Sequence, residues 1–454
     1  MIRDNAAPTG HGGPIQLFYL KPGSARRPTV SHGEGVYLYD TQGRRYIDAS
    51  SGPIASNIGH NNPRVIEASD RQMRQTAYAS RAFFENEANV QLAEVVTRLA
   101  GPGFERAFFV SGGSEANESV LKLARQHAVA SGQPKRWKVI SRMPSYHGGT
   151  LGALALSGDP AAEALFGPML RPMPKVSAPF TYRLPDGMTA QAVADACVRE
   201  LEDTILREGP ETVLGFILEP VGGLATGALV ALDSYYKGVR EVCDRYGLLL
   251  IYDEVMSGAG RTGTFLAAEH WPDARPDLVT LAKGLGAGYT PLGAVLASRE
   301  LVDTVADAGG FMHGFTYAGN PLSCAIGHAV VSETIDKQLM QNAAAMGERL
   351  RKHLETIRDS SRIVGDVRGR GLLMAMELVE DKQSKKTYPA EARIIQRFTE
   401  IALERGLLLY SRRTANGVFG EWVMVAPPLV VNAEQVDTIA QMIADTVSTL
   451  ESQL

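Results

Sequence analysis

Three short runs, 213–218 (VLGFIL), 248–252 (LLLIY) and 278–282 (LVTLA), are almost wholly apolar and show no inward–outward alternation. A strand with one wet face alternates apolar and polar residues, so an unbroken apolar run must be covered on both faces. Residues 106–110, 138–140 and 294–297 read as further strands of this kind, while 86–99, 118–130 and 236–246 carry apolar residues at helical spacing. Strands and helices in alternation predict an α/β fold: a mostly parallel sheet with helices packed on both sides.

The texture differs at the two ends. Residues 35–40 and 45–48 form a hairpin pattern across the Thr41-Gln42-Gly43 turn. From about residue 331 a long helix runs to near Ile357. After it come an apolar strand at 371–378, another helix, a last strand near Val423 and a final helix. That helix opens at Asn432, which has capping-box spacing to Gln435. The expected division is an N-terminal segment, 1–69, a large α/β domain, 70–325, and a C-terminal part, 326–454. The first and last would combine into a smaller α+β domain.

The composition removes several classes of function. Over 454 residues the net charge is only −4, and the basic residues are scattered, whereas phosphate-backbone binding needs a positive stripe. Nucleic acid is not an expected partner. Cys197, Cys243 and Cys324 form no CxxC pair, which argues against a disulfide framework or zinc site and for a reducing compartment. The opening MIRDNAAPTGHGGPIQ lacks the apolar stretch of a signal peptide. The most apolar region, 213–232, is broken by Glu219, Pro220 and glycines, so no membrane association is expected, and the expected location is cytoplasmic. No metal is expected, because the histidines show no HExxH or comparable spacing. Gly258–Gly263 matches GxGxxG, but the glycines do not follow a strand directly and no acidic residue closes a second strand downstream. Residues 249–254 imitate a Walker B strand in a chain without GxxxxGK[ST].

Four segments do carry chemistry together. Residues 109–117 (FVSGGSEAN) run from a strand through small residues into a helix, whose free amides and the Ser114 hydroxyl would make a phosphate cup. An ordinary strand-to-helix turn would read the same way. Asp253 stands at the carboxyl end of the most apolar strand, where open α/β sheets bind ligands. A carboxylate there is costly unless paired with a cation, and a protonated pyridine nitrogen is one such cation. Lys283 sits between an apolar strand and a glycine-rich turn. A free lysine is neutral on the order of one time in a thousand at pH 7, and burial raises that fraction and suits the residue to Schiff-base chemistry. Tyr146, in SYHGG, and Val255 could sandwich a flat heteroaromatic ring. Together these are the parts of a pyridoxal phosphate site.

The segments SGGSEANESVLKLAR, SYHGGTLGAL, EPVGG, DEVMSGAGRTGTF, AKGLGAGYTPLGAV, HGFTYAGNPLSCA and VRGRGLLMAMEL occur in that order. They resemble the class III, ω-amine:pyruvate type aminotransferases of pyridoxal-phosphate fold type I, across residues 15 to 450. The resemblance implies that Lys283 carries pyridoxal 5'-phosphate as a Schiff base and shuttles the substrate proton, while Asp253 keeps the ring nitrogen protonated. It implies that Tyr146 and Val255 cover the ring faces, that Gly113 and Ser114 bind the phosphate, and that Glu219 lies close behind. Thr316 would reach the phosphate of the other subunit, because family sites form in a homodimer or a higher assembly.

Glutamate-using members carry a gating glutamate where this chain has Leu224, and often Gln where it has Met256. Both changes point to an amine or ω-amino acid donor and a keto acid acceptor such as pyruvate. Ile54 stands where several amine transaminases have a bulky aromatic, which predicts a roomier pocket. Relatives hold the acceptor carboxylate with a mobile arginine in the loop before an apolar strand and a Pro-Pro pair. Here the strand is 422–426, the prolines are Pro427 and Pro428, and the loop offers Arg412 and Arg413. The same cofactor and fold also serve decarboxylases and aminomutases, and that alternative stays open at this level.

Overall fold

A computed structural model describes residues 28–454. The signal-peptide reading and the start of the 1–69 segment fall outside the described residues. The large sheet has seven strands in the order Arg106–Val110, Gly293–Ala297, Leu278–Leu281, Leu249–Asp253, Val213–Leu218, Lys138–Met143 and Lys175–Ser177. Alternate residues of one strand enter two different cores: Leu250 and Tyr252 pack in one, Ile251 in the other. This is the two-sided burial that the unbroken apolar runs require.

Gly293–Ala297 is antiparallel to both of its neighbours, and the remaining pairs are parallel. The physical reason is the short connection. A parallel return needs a crossover of a dozen or more residues, usually a helix. Residues 282–292 hold a single 3-10 turn, Lys283–Leu285, so the chain turns straight back.

A second core joins the two ends of the chain. Val36 and Ile47 of the first hairpin share it with Leu350, Leu354, Met374, Met376, Phe398, Val423 and Ile439. Leu407–Leu408 adds a parallel strand beside Arg45–Asp48. A separate antiparallel sheet runs Val364–Arg370, Leu373–Leu378, Gly420–Val425 and Tyr410–Thr414.

Several elements differ from the sequence reading. The helix expected at 118–130 spans Gly113–Ala130, because its first turn is built of small residues without an apolar rhythm. The single long helix expected from 331 is two helices, Pro321–Asp336 and Leu339–Ser360, parted by Gln338 in a left-handed conformation (φ 52°). Pro63–Gln75 and Ala190–Glu208 are helices the reading did not place. The final helix opens as expected: the Asn432 side chain accepts from Gln435 N at 2.9 Å, and Asn432 N donates back at 3.0 Å. Among the described residues no helix is long and apolar enough to cross a membrane.

Candidate active site

The ends of five strands of the large sheet supply one cavity. Asp253 ends its strand, Lys283 follows Leu278–Leu281 and Glu219 follows Val213–Leu218; Tyr146 follows Lys138–Met143 and Gly113 follows Arg106–Val110. Parallel strands bring their carboxyl ends to one side of the sheet, where the loops that follow them gather. The cavity measures about 390 Å³.

Asp253 is buried and held from two directions. Its Oδ2 accepts from Asn117 Nδ2 at 2.9 Å and from His147 Nδ1 at 2.8 Å, and its Oδ1 accepts from Val255 N at 3.1 Å. The Asn117 amide is oriented in turn: its Nδ2 also donates to His147 O at 2.6 Å, and its Oδ1 accepts from Thr280 Oγ1 at 3.0 Å. A buried carboxylate beside Nδ1 favours the tautomer with the proton on that nitrogen. His147 Nε2 is buried and has no hydrogen-bond partner.

Lys283 adopts a left-handed backbone (φ 41°) where the 3-10 turn leaves the strand. It is half-buried and lines the cavity. Burial pushes its amine down to about 8, against the opposing pull of Asp253 and Glu219. Glu219 accepts from Gly223 N at 3.0 Å and from Tyr146 N at 3.4 Å, and burial pushes its carboxyl up.

At the other wall, helix Gly113–Ala130 begins without a side-chain cap, and its first amides, like those of any helix, have no acceptor within it. Gly149 N donates to Ser114 Oγ at 3.0 Å. Gly148 permits this close approach: its φ is +142°, and a Cβ there would stand 2.7 Å from Ser114 Oγ. A Cβ on Gly113 would lie 2.8 Å from Val255 Cγ1, so only glycine lets that helix start pack this closely against the valine. The donor set fits a flat, phosphorylated, pyridine-like aldehyde: a nucleophilic amine, a fixed carboxylate, unpaired helix-start amides and a slot walled by Val255 and Tyr146.

The mouth is lined by Pro53, Leu224, Met256, Tyr410 and Arg412. Two expectations change here. Ile54 is 1% exposed and packs in the main core, and its neighbour Pro53 takes the wall. The turn causes this: Gly52 has φ 60° and Ile54 φ 63°, which rotates the isoleucine inward. Arg412 and Arg413 lie on a strand, Tyr410–Thr414, and not in a loop. Successive strand residues face opposite sides, so only Arg412 lines the cavity; Arg413 pairs with Glu421 Oε2 at 2.9 Å. Thr316 is exposed and does not line this chain's cavity.

The family model for class-III aminotransferases matches residues 22–447. The chain belongs to that family. This aminotransferase is 36% identical to an uncharacterized aminotransferase of Bacillus subtilis, over 97% of this chain and 99% of that one. It is 32% identical to the putrescine–pyruvate aminotransferase of Pseudomonas aeruginosa, over 90% of this chain and 88% of that one. In three dimensions it is similar to an ω-transaminase of Pseudomonas jessenii in complex with PMP, with a TM-score of 0.89 and 32% identity over 96% and 97% of the two chains. The enzyme is therefore a pyridoxal-phosphate-dependent aminotransferase of fold type I, and amino-group transfer is its reaction class.

Sequence reasoning passed over Asn117 and His147, which hold Asp253. The Asn sits one helical turn beyond the Gly113 start and the His beside Tyr146, but neither position announces a partner more than a hundred residues away.

Proposed function

We propose that this aminotransferase takes its amino group from an amine or ω-amino acid and gives it to a keto acid such as pyruvate, with Arg412 receiving the acceptor's carboxylate. The cavity mouth carries the reading: one arginine stands among Pro53, Leu224, Met256 and Tyr410. An apolar amine finds apolar contacts there, and a carboxylate finds a single guanidinium suited to paired hydrogen bonds. The putrescine–pyruvate relative supports an amine and a keto acid as the substrate pair.

Pyridoxal phosphate, when bound, supplies a carbonyl carbon for amines to attack and an electron-withdrawing ring. The chain supplies the rest. Lys283 is the nucleophile that holds the cofactor. With its amine at about 8, roughly a tenth is neutral at pH 7. The same Nζ would take the proton from the substrate carbon and hand it to the cofactor within one half-reaction, and would run that transfer in reverse with the keto acid. Asp253, locked by Asn117 and His147, presents a fixed negative charge to the ring nitrogen. Tyr146 and Val255 would cover the two ring faces, Gly113 and Ser114 would hold the phosphate, and Glu219 braces Tyr146 through its amide.

Thr316 of the partner subunit completes the phosphate site in a homodimer. The exposure of Phe83 (82%), Met312 (87%) and Tyr317 (62%) around that segment supports such an interface. The division into 1–69 and 326–454 around a 70–325 domain is supported by the shared core of the two ends. A cytoplasmic location is in keeping with three free, buried cysteines.

Half-reactions test the substrate reading. Arg412→Ala should raise the KM for pyruvate about tenfold or more, as loss of a charge-assisted contact does, and leave an apolar amine donor nearly unaffected. Equal effects on both substrates would overturn it.

A further inference from the structure

Arg412 is not alone at the cavity mouth. Its Nη2 is ion-paired with Asp159 Oδ2, and both side chains are largely buried, at 25% and 17% exposure. The carboxylate is the rigid member of the pair. Asp159 Oδ1 caps helix Pro160–Phe166 by accepting from Ala161 N at 3.1 Å. The residue before it is stitched to the segment that leads to Tyr146 and His147: Gly158 N donates to Ser145 O at 3.1 Å, and Ser145 N donates to Gly158 O at 3.2 Å. His147 N donates to Ser157 Oγ at 2.8 Å. A Cβ on Gly158 would stand 2.3 Å from Arg142 O, so this contact is tight. The guanidinium is the movable member, a long side chain on a strand paired on one side only.

We propose that Asp159 is a positioning residue for substrate selection, the resident counter-ion that a carboxylate-bearing substrate must displace from Arg412. The inference rests on the reading that Arg412 receives the acceptor. With an apolar amine in the cavity, Arg412 stays on Asp159 and leaves no unpaired charge beside the substrate. A guanidinium left without a counter-ion beside an apolar substrate is disfavoured, though less than in a fully buried place. With a keto acid in the cavity, the substrate carboxylate competes with Asp159 for the same donors. The pair thereby weakens carboxylate binding and makes the one cavity acceptable to both substrates in turn.

The test is Asp159→Asn in the holoenzyme, with Asp159→Ser as a second variant. Both residues are good helix caps, so the charge is removed while the cap at Pro160–Phe166 remains. Steady-state kinetics with pyruvate and calorimetric titration with propionate, a carboxylate without a keto group, are the readouts. The pyruvate KM and the propionate Kd should both fall about two- to fivefold, the range of partly exposed ion pairs. The effect should appear in KM and not in kcat, and it should vanish in the Arg412→Ala background. A KM and Kd that stay put or rise in both variants, while Arg412→Ala alone raises the pyruvate KM, would overturn the counter-ion role and leave the carboxylate reading intact. No response of the pyruvate KM to Arg412→Ala would overturn both.

Discussion

Replacing Asp253 by Asn tests the centre of the site, because it preserves shape and removes charge. The carboxylate takes three donors: Asn117 Nδ2 and His147 Nδ1 on one oxygen, Val255 N on the other. An amide offers one oxygen. Turned toward Asn117 and His147, it sets its NH2 against the Val255 amide, and turned the other way it faces two donors. Either arrangement leaves a buried donor unsatisfied, at about 1–3 kcal/mol of stability. The catalytic loss is larger. A positive charge held about 4 Å from the carboxylate interacts by about 4 kcal/mol at the effective dielectric of a partly buried site, and at 1.36 kcal/mol per decade that is roughly a thousandfold in rate. The assay is a single-turnover half-reaction with an amine donor, followed by absorbance, beside a titration of cofactor affinity. The rate should fall by about three orders of magnitude and the affinity by much less. A variant retaining more than about a tenth of the wild-type rate would place the contribution below about 1.4 kcal/mol and refute the reasoning.

Three further outcomes follow from the geometry. Cofactor capture by the cofactor-free protein should accelerate with pH up to about 8 and level off above, because the neutral Lys283 amine is the nucleophile and burial holds it there; stopped-flow rates still climbing between pH 9 and 10 would contradict this, and Lys283→Ala should abolish borohydride-fixed label. Gly113→Ala should weaken cofactor binding about tenfold or more, since its Cβ would lie 2.8 Å from Val255 Cγ1, with packing strain of about 1–3 kcal/mol; Gly113→Ala combined with Val255→Ala should recover part of the loss in an equilibrium titration. Arg413→Ala should lower the Tm and leave the pyruvate KM near wild type, because it strips the partner from the buried Glu421 carboxylate, outside the cavity; a KM shift as large as that of Arg412→Ala would show that the two strand faces were wrongly distinguished.

The sequence by itself determined what local chemistry can announce. Runs such as 213–218 and 248–252 had to be central strands, because no polar residue in them could face water. Asp253 and Lys283 stand at strand ends, where open α/β sheets gather their ligands, and their residue types named the cofactor chemistry. The tertiary structure alone decided which groups meet across long stretches of chain. Asn117 and His147 reach Asp253 from 136 and 106 residues away, and no local pattern encodes such a meeting. Arg412 and Arg413 are adjacent and chemically identical, and only the pairing of Tyr410–Thr414 with Gly420–Val425 turns one to the cavity and the other to Glu421. The same holds for Pro53 over Ile54, whose side chain points inward because its left-handed backbone (φ 63°) turns it there. Asp159 had no signal beyond that of a helix cap until the fold brought Arg412 against it, since an ion pair between residues 253 apart exists only once both strands and helices have packed.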